Sequence, residues 1–225
     1  MTTHVPPPAA SPAVAPRGCR ADRVTKSLLG WGVIAGPLYV GVSLIEATVR
    51  PGFDLTRHSW SLLSNGPYGW VHATLLVLTG LMTIAAALGF RRALALRAVP
   101  VLLGLYGAGL LAAGLCTADP ADGFPVGTAA GPGVVSGHGL MHLAAAGTGF
   151  LAFSAATVTL GVHYLRRSQR GRGLAAISTG VLFLTAFVGV AAGGGKPTVV
   201  AFVAAVIVAC SWLTVTSITL YRDES

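Results

Sequence analysis

The sequence predicts an all-α integral membrane protein, a bundle of six transmembrane helices with both termini in the cytoplasm. Only 10% of its 225 residues are charged and 53% are hydrophobic, whereas about 25% charged residues is typical of soluble domains. Six apolar runs are long enough to cross a hydrocarbon core, which takes about 20 residues. Arg and Lys residues cluster at alternate ends of these runs, as expected for cytoplasmic loops.

The predicted domain organisation is one membrane domain between two short tails. Residues 1–26 are rich in proline, alanine and basic residues without an apolar period, which predicts a disordered basic tail. Residues 27–220 form the transmembrane domain and 221–225 a C-terminal tail. The first run is too long for a signal-peptide core of about 7–15 residues and is predicted to remain as a helix. The six predicted helices are 27–49, 69–90, 98–117, 138–162, 174–194 and 198–220.

Orientation follows from the basic residues, because an even number of spans puts both termini on one side. Twelve of the fifteen Lys and Arg residues lie in the N-terminal tail, in the loops 91–97 and 163–173, and near the C-terminus. The other three are Arg50, Arg57 and Lys196. The positive-inside rule therefore predicts cytoplasmic termini in a multi-pass protein of the cell membrane.

The net charge of +8 is explained by these loop clusters, so nucleic acid is not an expected partner, whereas membrane lipids are. The three cysteines form no CxxC pair, which predicts neither a disulfide nor a cysteine metal site. Small residues recur every four positions at Gly32 and Gly36 and at Gly104, Ala108 and Ala112. They favour close packing within the bundle, with a homo-oligomer as the alternative.

The first outer loop, residues 50–70, is predicted to contain a short interfacial helix at 55–64. Asp54 is a suitable N-cap for this helix, and the Asn65-Gly66 pair is a suitable end for it. On that helix His58 and Ser61 would share a face beside Arg57. The alternative is a cap whose polar groups only hydrogen-bond the other loops. Glu46 precedes Arg50 by four residues, which predicts an ion pair along the helix.

Polar residues at one depth predict an outward-facing pocket, because lipid offers ionisable groups no partners. A transporter is disfavoured, since the inner halves of the helices offer mainly threonine, serine and glycine. The pocket residues are Asp54, Arg57, His58, Ser61, Asp119 and His142.

A metal site is a more specific interpretation of the polar residues at this depth. His138 and His142 are four apart and share a helical face, while His72 and Asp119 are predicted at similar depth. Histidine and carboxylate are suitable zinc ligands, and a catalytic zinc needs three of them. The alternative is a set of interfacial histidines that only form hydrogen bonds.

Two motif groups resemble a known family. They are GFDLTRHSWSLLSNGPYGW in the first outer loop, and ADPADGFPVG followed by SGHGLMHLAAAGTGF. Together they resemble the bacterial membrane proteins grouped as Domain of Unknown Function 998, over about residues 27–220. The resemblance implies a six-pass bundle without an established activity or cofactor. The matching positions are Asp54, Arg57, His58, Ser61, Asp119, Pro120 and His142.

A more distant similarity, in site composition only, is to the alkaline ceramidases and adiponectin receptors, which are seven-helix zinc hydrolases. The sequence thus predicts a membrane protein of unassigned activity whose pocket binds a lipid headgroup, a small ligand or a partner. The alternative is a zinc-dependent intramembrane hydrolase of a lipid amide or ester. In the hydrolase, His138, His142 and either His72 or Asp119 would hold the zinc ion. The sequence assigns no other catalytic residue.

Overall fold

The protein is a helical bundle, and the prediction of six long apolar helices is confirmed. The computed structural model describes the backbone of residues 17–223 and the side chains of residues 22–223, and this part of the chain contains no β-strand. The long helices are α1 (Arg17–Val49), α2 (Gly69–Ala93), α3 (Ala98–Leu115), α4 (Gly137–Arg166), α5 (Arg170–Ala191) and α6 (Lys196–Asp223). All six are long and apolar enough to cross a membrane. The chain is therefore a multi-pass membrane protein.

The two tails are shorter than the sequence predicts. Helix α1 begins at Arg17, within the predicted tail 1–26, directly after Pro16, and no proline interrupts the chain between Pro16 and Pro37. A proline just before or at the start of a helix is tolerated. Helix α6 continues to Asp223, beyond the predicted end at 220. The rest of the predicted tails, residues 1–16 and 224–225, lies outside the described residues.

The six helices form a ring in chain order. Each helix packs against the next, and α6 packs against α1. The loops 50–68 and 116–136, here called the first and second long loops, lie at the end where α2, α4 and α6 begin, which we call the long-loop end. At the opposite end Arg92 donates to the Thr25 hydroxyl over 3.0 Å. We call this the arginine end, because most of the basic residues lie there.

Close approach of α1 and α6 depends on the predicted small-residue pair. A Cβ on Gly36 would lie 2.6 Å from the carbonyl oxygen of Cys210, and one on Gly32 would overlap the hydroxyl of Ser217. Both glycines therefore serve packing within the bundle. Gly104, in contrast, has open space where a Cβ would be. A homo-oligomer through that face stays a prediction.

Aromatic side chains fill the middle of the ring. Phe150 contacts Phe183 and Phe187, with ring centroids 4.9 Å apart in both pairs. Phe153 packs edge-on against Trp212 at 5.7 Å. Edge-to-face pairs are favourable beyond the area they bury, so this cluster stabilises the packing of α4, α5 and α6 against one another.

Candidate functional site

The two long loops are bound to each other through His58, which is 2% exposed. Its Nδ1 accepts from the backbone N–H of Asp54 over 2.9 Å, so the hydrogen of the neutral ring is on Nε2. Nε2 donates to the carbonyl of Asp122 over 3.0 Å, and Arg57 donates to the same oxygen over 3.1 Å. Both ring nitrogens are thus occupied, and His58 holds the loops together.

The predicted helix at 55–64 is only partly present. Trp60–Ser64 form a short 3-10 helix, η1. Asp54 instead caps a separate turn, in which its side chain accepts from the backbone of Thr56 over 2.8 Å. Ser59 between them is extended, with φ −66° and ψ 151°. Because the extended residue interrupts the helix, His58 and Ser61 do not share a helical face.

A buried charged cluster joins α1, α2 and the first long loop. Glu46 accepts from His72 Nδ1 over 2.9 Å, and Arg50 approaches the other carboxylate oxygen at 3.8 Å. Arg50 also donates to the carbonyls of Leu63 and Asn65. A buried charge needs such partners, since its desolvation is costly. The predicted Glu46–Arg50 pair is present, but the shorter contact is with His72.

Two carboxylates outside the membrane-spanning helices, those of Asp54 and Asp119, accept hydrogen bonds from backbone N–H groups. The hydroxyl of Ser136 donates to one carboxylate oxygen of Asp119 over 2.5 Å, and its backbone N–H donates to the other over 2.8 Å. Both bonds favour the ionised carboxylate and lower the pKa of Asp119 from its usual range, the side-chain bond the more strongly. Ser136 in turn caps α4 by accepting from the N–H of Gly139 over 3.0 Å. The hydroxyl and backbone of Thr56 likewise lower the pKa of Asp54. Both acids are therefore engaged in local capping.

A cavity of about 140 Å³ lies inside the ring, towards the long-loop end. All six helices contribute to its wall, and the first long loop covers it. Leu143 and Ala191 line the cavity and are also exposed, so it reaches the surface where α4 begins and α5 ends. Its lining residues are Tyr39, Ser59, Trp60, Ser61, Leu76, Thr79, Tyr106, Leu110, Ala113, His142, Leu143, Ala146, Phe150, Phe183, Phe187, Val190, Ala191, Phe202, Val203 and Val206.

The polar lining includes groups without a protein partner. His142 is 7% exposed, and its Nδ1 donates to the carbonyls of Ala113 and Cys116, each over 2.8 Å. Its Nε2 has no partner among the described residues. Trp60 Nε1 and Thr79 Oγ1 are buried and have no hydrogen bond within the same part of the chain. Buried polar groups are rarely left unpaired, so Trp60 Nε1 and Thr79 Oγ1, together with the unpartnered Nε2 of His142, mark the cavity as a candidate binding site.

The predicted pocket residues occupy three different places. Ser61 and His142 line the cavity. Asp54, Arg57 and His58 lie in the first long loop. Arg57 and His58 bind it to the second long loop, whereas Asp54 binds His58 and Thr56 of its own loop. Asp119 lies in the second long loop beside the start of α4. The structure therefore brings together two of the six residues at the cavity, while the other four support the segments around it.

The four predicted zinc ligands are not arranged to bind one metal ion. His138 is exposed in the first turn of α4, His72 is fully buried against Glu46, and His142 and Asp119 bind the backbone as described above. Within the described residues no group of three His, Cys, Asp or Glu side chains is arranged to hold a metal ion. The zinc hydrolase stays a prediction from the sequence, without support from this geometry.

Sequence reasoning missed the main features of the cavity. Thr79 had no signal of its own, because one threonine in an apolar run is ordinary, and Trp60 in the first outer loop is typical of an interfacial anchor rather than of a ligand site. Ser59 and Ser61 hydrogen-bond each other over 3.1 Å, which nothing in their spacing indicated. The one usable signal was the depth shared by His142 and the first long loop.

Comparison with known proteins finds one family. A family model described as "Protein of unknown function (DUF998)" matches residues 33–221. The match covers all six helices except the first part of α1 and the last residues of α6. No curated protein and no solved structure matches the chain.

Proposed function

The chain belongs to the DUF998 family, whose description assigns no activity, and we propose from the site itself that the protein binds an amphipathic, lipid-like molecule in its central cavity. The observation that carries this proposal is the cavity of about 140 Å³ whose wall is mostly aliphatic and aromatic but includes His142, Trp60 and Thr79 with unpartnered polar atoms. Ligand sites typically combine such an apolar wall with a few placed polar groups.

The size of the cavity defines which part of a ligand it can enclose. An apolar protein cavity of about 150 Å³ holds one benzene molecule. A cavity of about 140 Å³ therefore accommodates one ring or a short length of chain. A longer molecule would extend through the opening beside Leu143 and Ala191 into the surrounding lipid. A lipid with one end inside the bundle meets this requirement.

The proposed orientation follows from the basic residues. Twelve of fifteen lie at or beyond the arginine end, which the positive-inside rule places in the cytoplasm. Both termini are then cytoplasmic, and the cavity lies in the outer half of the cell membrane. In this position a lipid of the outer leaflet reaches the opening by lateral diffusion.

Filling the cavity tests the proposal. Ala146 lines the cavity and is 8% exposed, whereas Ala144 on the same helix is exposed. We expect Ala146→Leu to abolish labelling of cavity residues by photoactivatable alkyl-diazirine probes in nanodiscs, and Ala144→Leu to retain it. Ala146→Leu should also raise the stability of the ligand-free protein by roughly 0.5–2 kcal/mol, as cavity-filling substitutions commonly do.

The readout is the yield of probe on cavity residues, measured by mass spectrometry of the purified protein. Labelling of wild type that is lost only in Ala146→Leu supports the proposal. Equal labelling of wild type and both variants, or none at the cavity with any probe, contradicts it. Melting temperatures of the three proteins show whether each one is folded.

A further inference from the structure

We propose that the ligand's polar end is a neutral hydroxyl group, so that the cavity selects an alcohol-bearing apolar molecule over a phosphate or an ammonium lipid. This inference rests on the proposed function and names the chemistry of the same site. It follows from the hydrogen-bonding capacity of His142, Trp60 and Thr79 and from the absence of charge in the cavity wall.

The first step is the role of His142 as an acceptor. Carbonyl oxygens only accept hydrogen bonds, so the two contacts from Nδ1 to Ala113 and Cys116, both 2.8 Å, require a hydrogen on Nδ1. In the neutral ring Nε2 then carries a lone pair and no hydrogen. A ligand atom that pairs with Nε2 must therefore donate. An ether or an ester oxygen cannot do so, whereas a hydroxyl can.

The second step is the opposite requirement at Trp60. An indole N–H is a donor only, and Nε1 of Trp60 is buried without a partner in the described part of the chain. The Thr79 hydroxyl, also buried and unpartnered, can donate or accept. Among these three unpartnered groups, one acceptor, one donor and one group of both kinds match a hydroxyl, which itself both donates and accepts.

The third step excludes a charged head. None of the residues that line the cavity is Lys, Arg, Asp or Glu. Of the three cations at the long-loop end, Arg50 is bound to Glu46 and two carbonyls, and Arg57 to the Asp122 carbonyl. The third, Lys196, is exposed and does not line the cavity. A buried charge without a counter-charge is strongly disfavoured. Phosphate and quaternary ammonium heads would therefore stay outside the cavity.

The test uses matched photoactivatable probes with one six-carbon diazirine chain and five different ends. The ends are a hydroxyl, its methyl ether, a plain hydrocarbon, a phosphate and a trimethylammonium group. We expect cavity labelling of wild-type protein in nanodiscs to be strongest with the hydroxyl probe, by roughly 3- to 10-fold over the ether, as the net value of one hydrogen bond implies.

A threonine pair on α2 provides the matched variants. Thr79→Val removes the unpartnered hydroxyl in the cavity, and Thr83→Val removes a hydroxyl one turn away that donates to the Thr79 carbonyl over 2.8 Å and does not line the cavity. Thr79→Val should reduce hydroxyl-probe labelling by roughly 3- to 10-fold and leave the hydrocarbon probe unchanged. Thr83→Val should change neither.

The outcomes separate this inference from the proposed function. Preference for the hydroxyl probe that falls in Thr79→Val alone supports the inference. Cavity labelling that is equal for all ends, or strongest for phosphate or ammonium, overturns the inference while the proposed function stands. Labelling of the cavity by none of the five probes overturns both. An effect of Thr83→Val equal to that of Thr79→Val also overturns the inference.

Discussion

At the residue scale, Asp119 shows how a polar side chain that suggests a ligand can instead serve the backbone. Both of its carboxylate oxygens accept hydrogen bonds from Ser136, the N-cap of α4. The carboxylate also lies close to Gly139, where a Cβ would overlap it. Negative charge at a helix N-terminus is favourable. Asp119 therefore stabilises the start of the helix that carries His142.

The pH dependence of stability tests this role. The pKa of Asp119 is lower in the folded protein because Ser136 hydrogen-bonds the ionised form. Its contribution is therefore present above the pKa of the unfolded chain and is lost as the pH falls through the folded pKa. Asp119→Asn should lower the melting temperature by a few degrees at pH 7, and the difference from wild type should shrink progressively as the pH falls below about 4, the usual pKa of an aspartate in the unfolded chain.

Asp122 in the same loop is the matched control, because only its backbone atoms form hydrogen bonds within the described residues. Asp122→Asn should leave the melting temperature nearly unchanged at both pH values. An Asp119→Asn protein as stable as wild type at neutral pH would show that the carboxylate does not stabilise α4. Melting curves in mild detergent measure both variants.

Residue types and spacing predicted which polar groups lie near the long-loop end, but not what each one contacts. His58 was a candidate pocket residue, yet both ring nitrogens bind the loop backbone. His142 was a candidate metal ligand, and one nitrogen binds the end of α3 instead. A histidine has two nitrogens and many available backbone partners. The choice among them depends on the path of the loops, which residue spacing does not specify.

At the element scale, the link between α1 and α2 is the buried cluster of Glu46, Arg50 and His72. The Glu46–Arg50 pair was predictable, since residues four apart on a helix are neighbours. The contact with His72 was not, because it depends on the rotation of α2 against α1. Arg50 extends the cluster to η1 through the Leu63 carbonyl at 3.1 Å. The cluster thus connects two helices with the loop that covers the cavity.

Removing one charge from this cluster should be more harmful than removing two. Glu46→Leu leaves Arg50 buried without its carboxylate and should destabilise the protein by about 3 kcal/mol. The double variant Glu46→Leu with Arg50→Met should be more stable than that single variant, because no buried charge is left unpaired. Reversible unfolding in mixed detergent measures these differences.

Thr48→Val is a control on the same helix, since Thr48 is exposed and bonds only its own helix. It should change stability by less than about 0.5 kcal/mol. A double variant less stable than Glu46→Leu would mean that Arg50 stabilises the first long loop independently of Glu46, through the Leu63 and Asn65 carbonyls.

At the scale of the whole molecule, the fold was predictable because the length of an apolar run is a strong signal. The predicted start of α2 at 69 and of α3 at 98 agree with the structure. Short connections join α2 to α3 and α4 to α5 at the arginine end, and α5 to α6 at the long-loop end, and they make these helices neighbours in the ring. The cavity was not predictable, because it results from how tightly Phe150, Phe183 and their neighbours pack across the ring.

Orientation is the remaining whole-molecule prediction, and it decides whether the cavity faces the outer leaflet. Val126 in the second long loop is 73% exposed, and Gln169 between α4 and α5 is also exposed. In a chain whose three native cysteines are replaced by alanine, Val126→Cys should react with a membrane-impermeant maleimide on intact cells. Gln169→Cys should react only after permeabilisation, because the positive-inside rule predicts that a loop with this many basic residues lies in the cytoplasm. The reverse labelling pattern would invert the bundle and place the cavity in the cytoplasmic leaflet, while equal labelling of both sites on intact cells would contradict a single orientation.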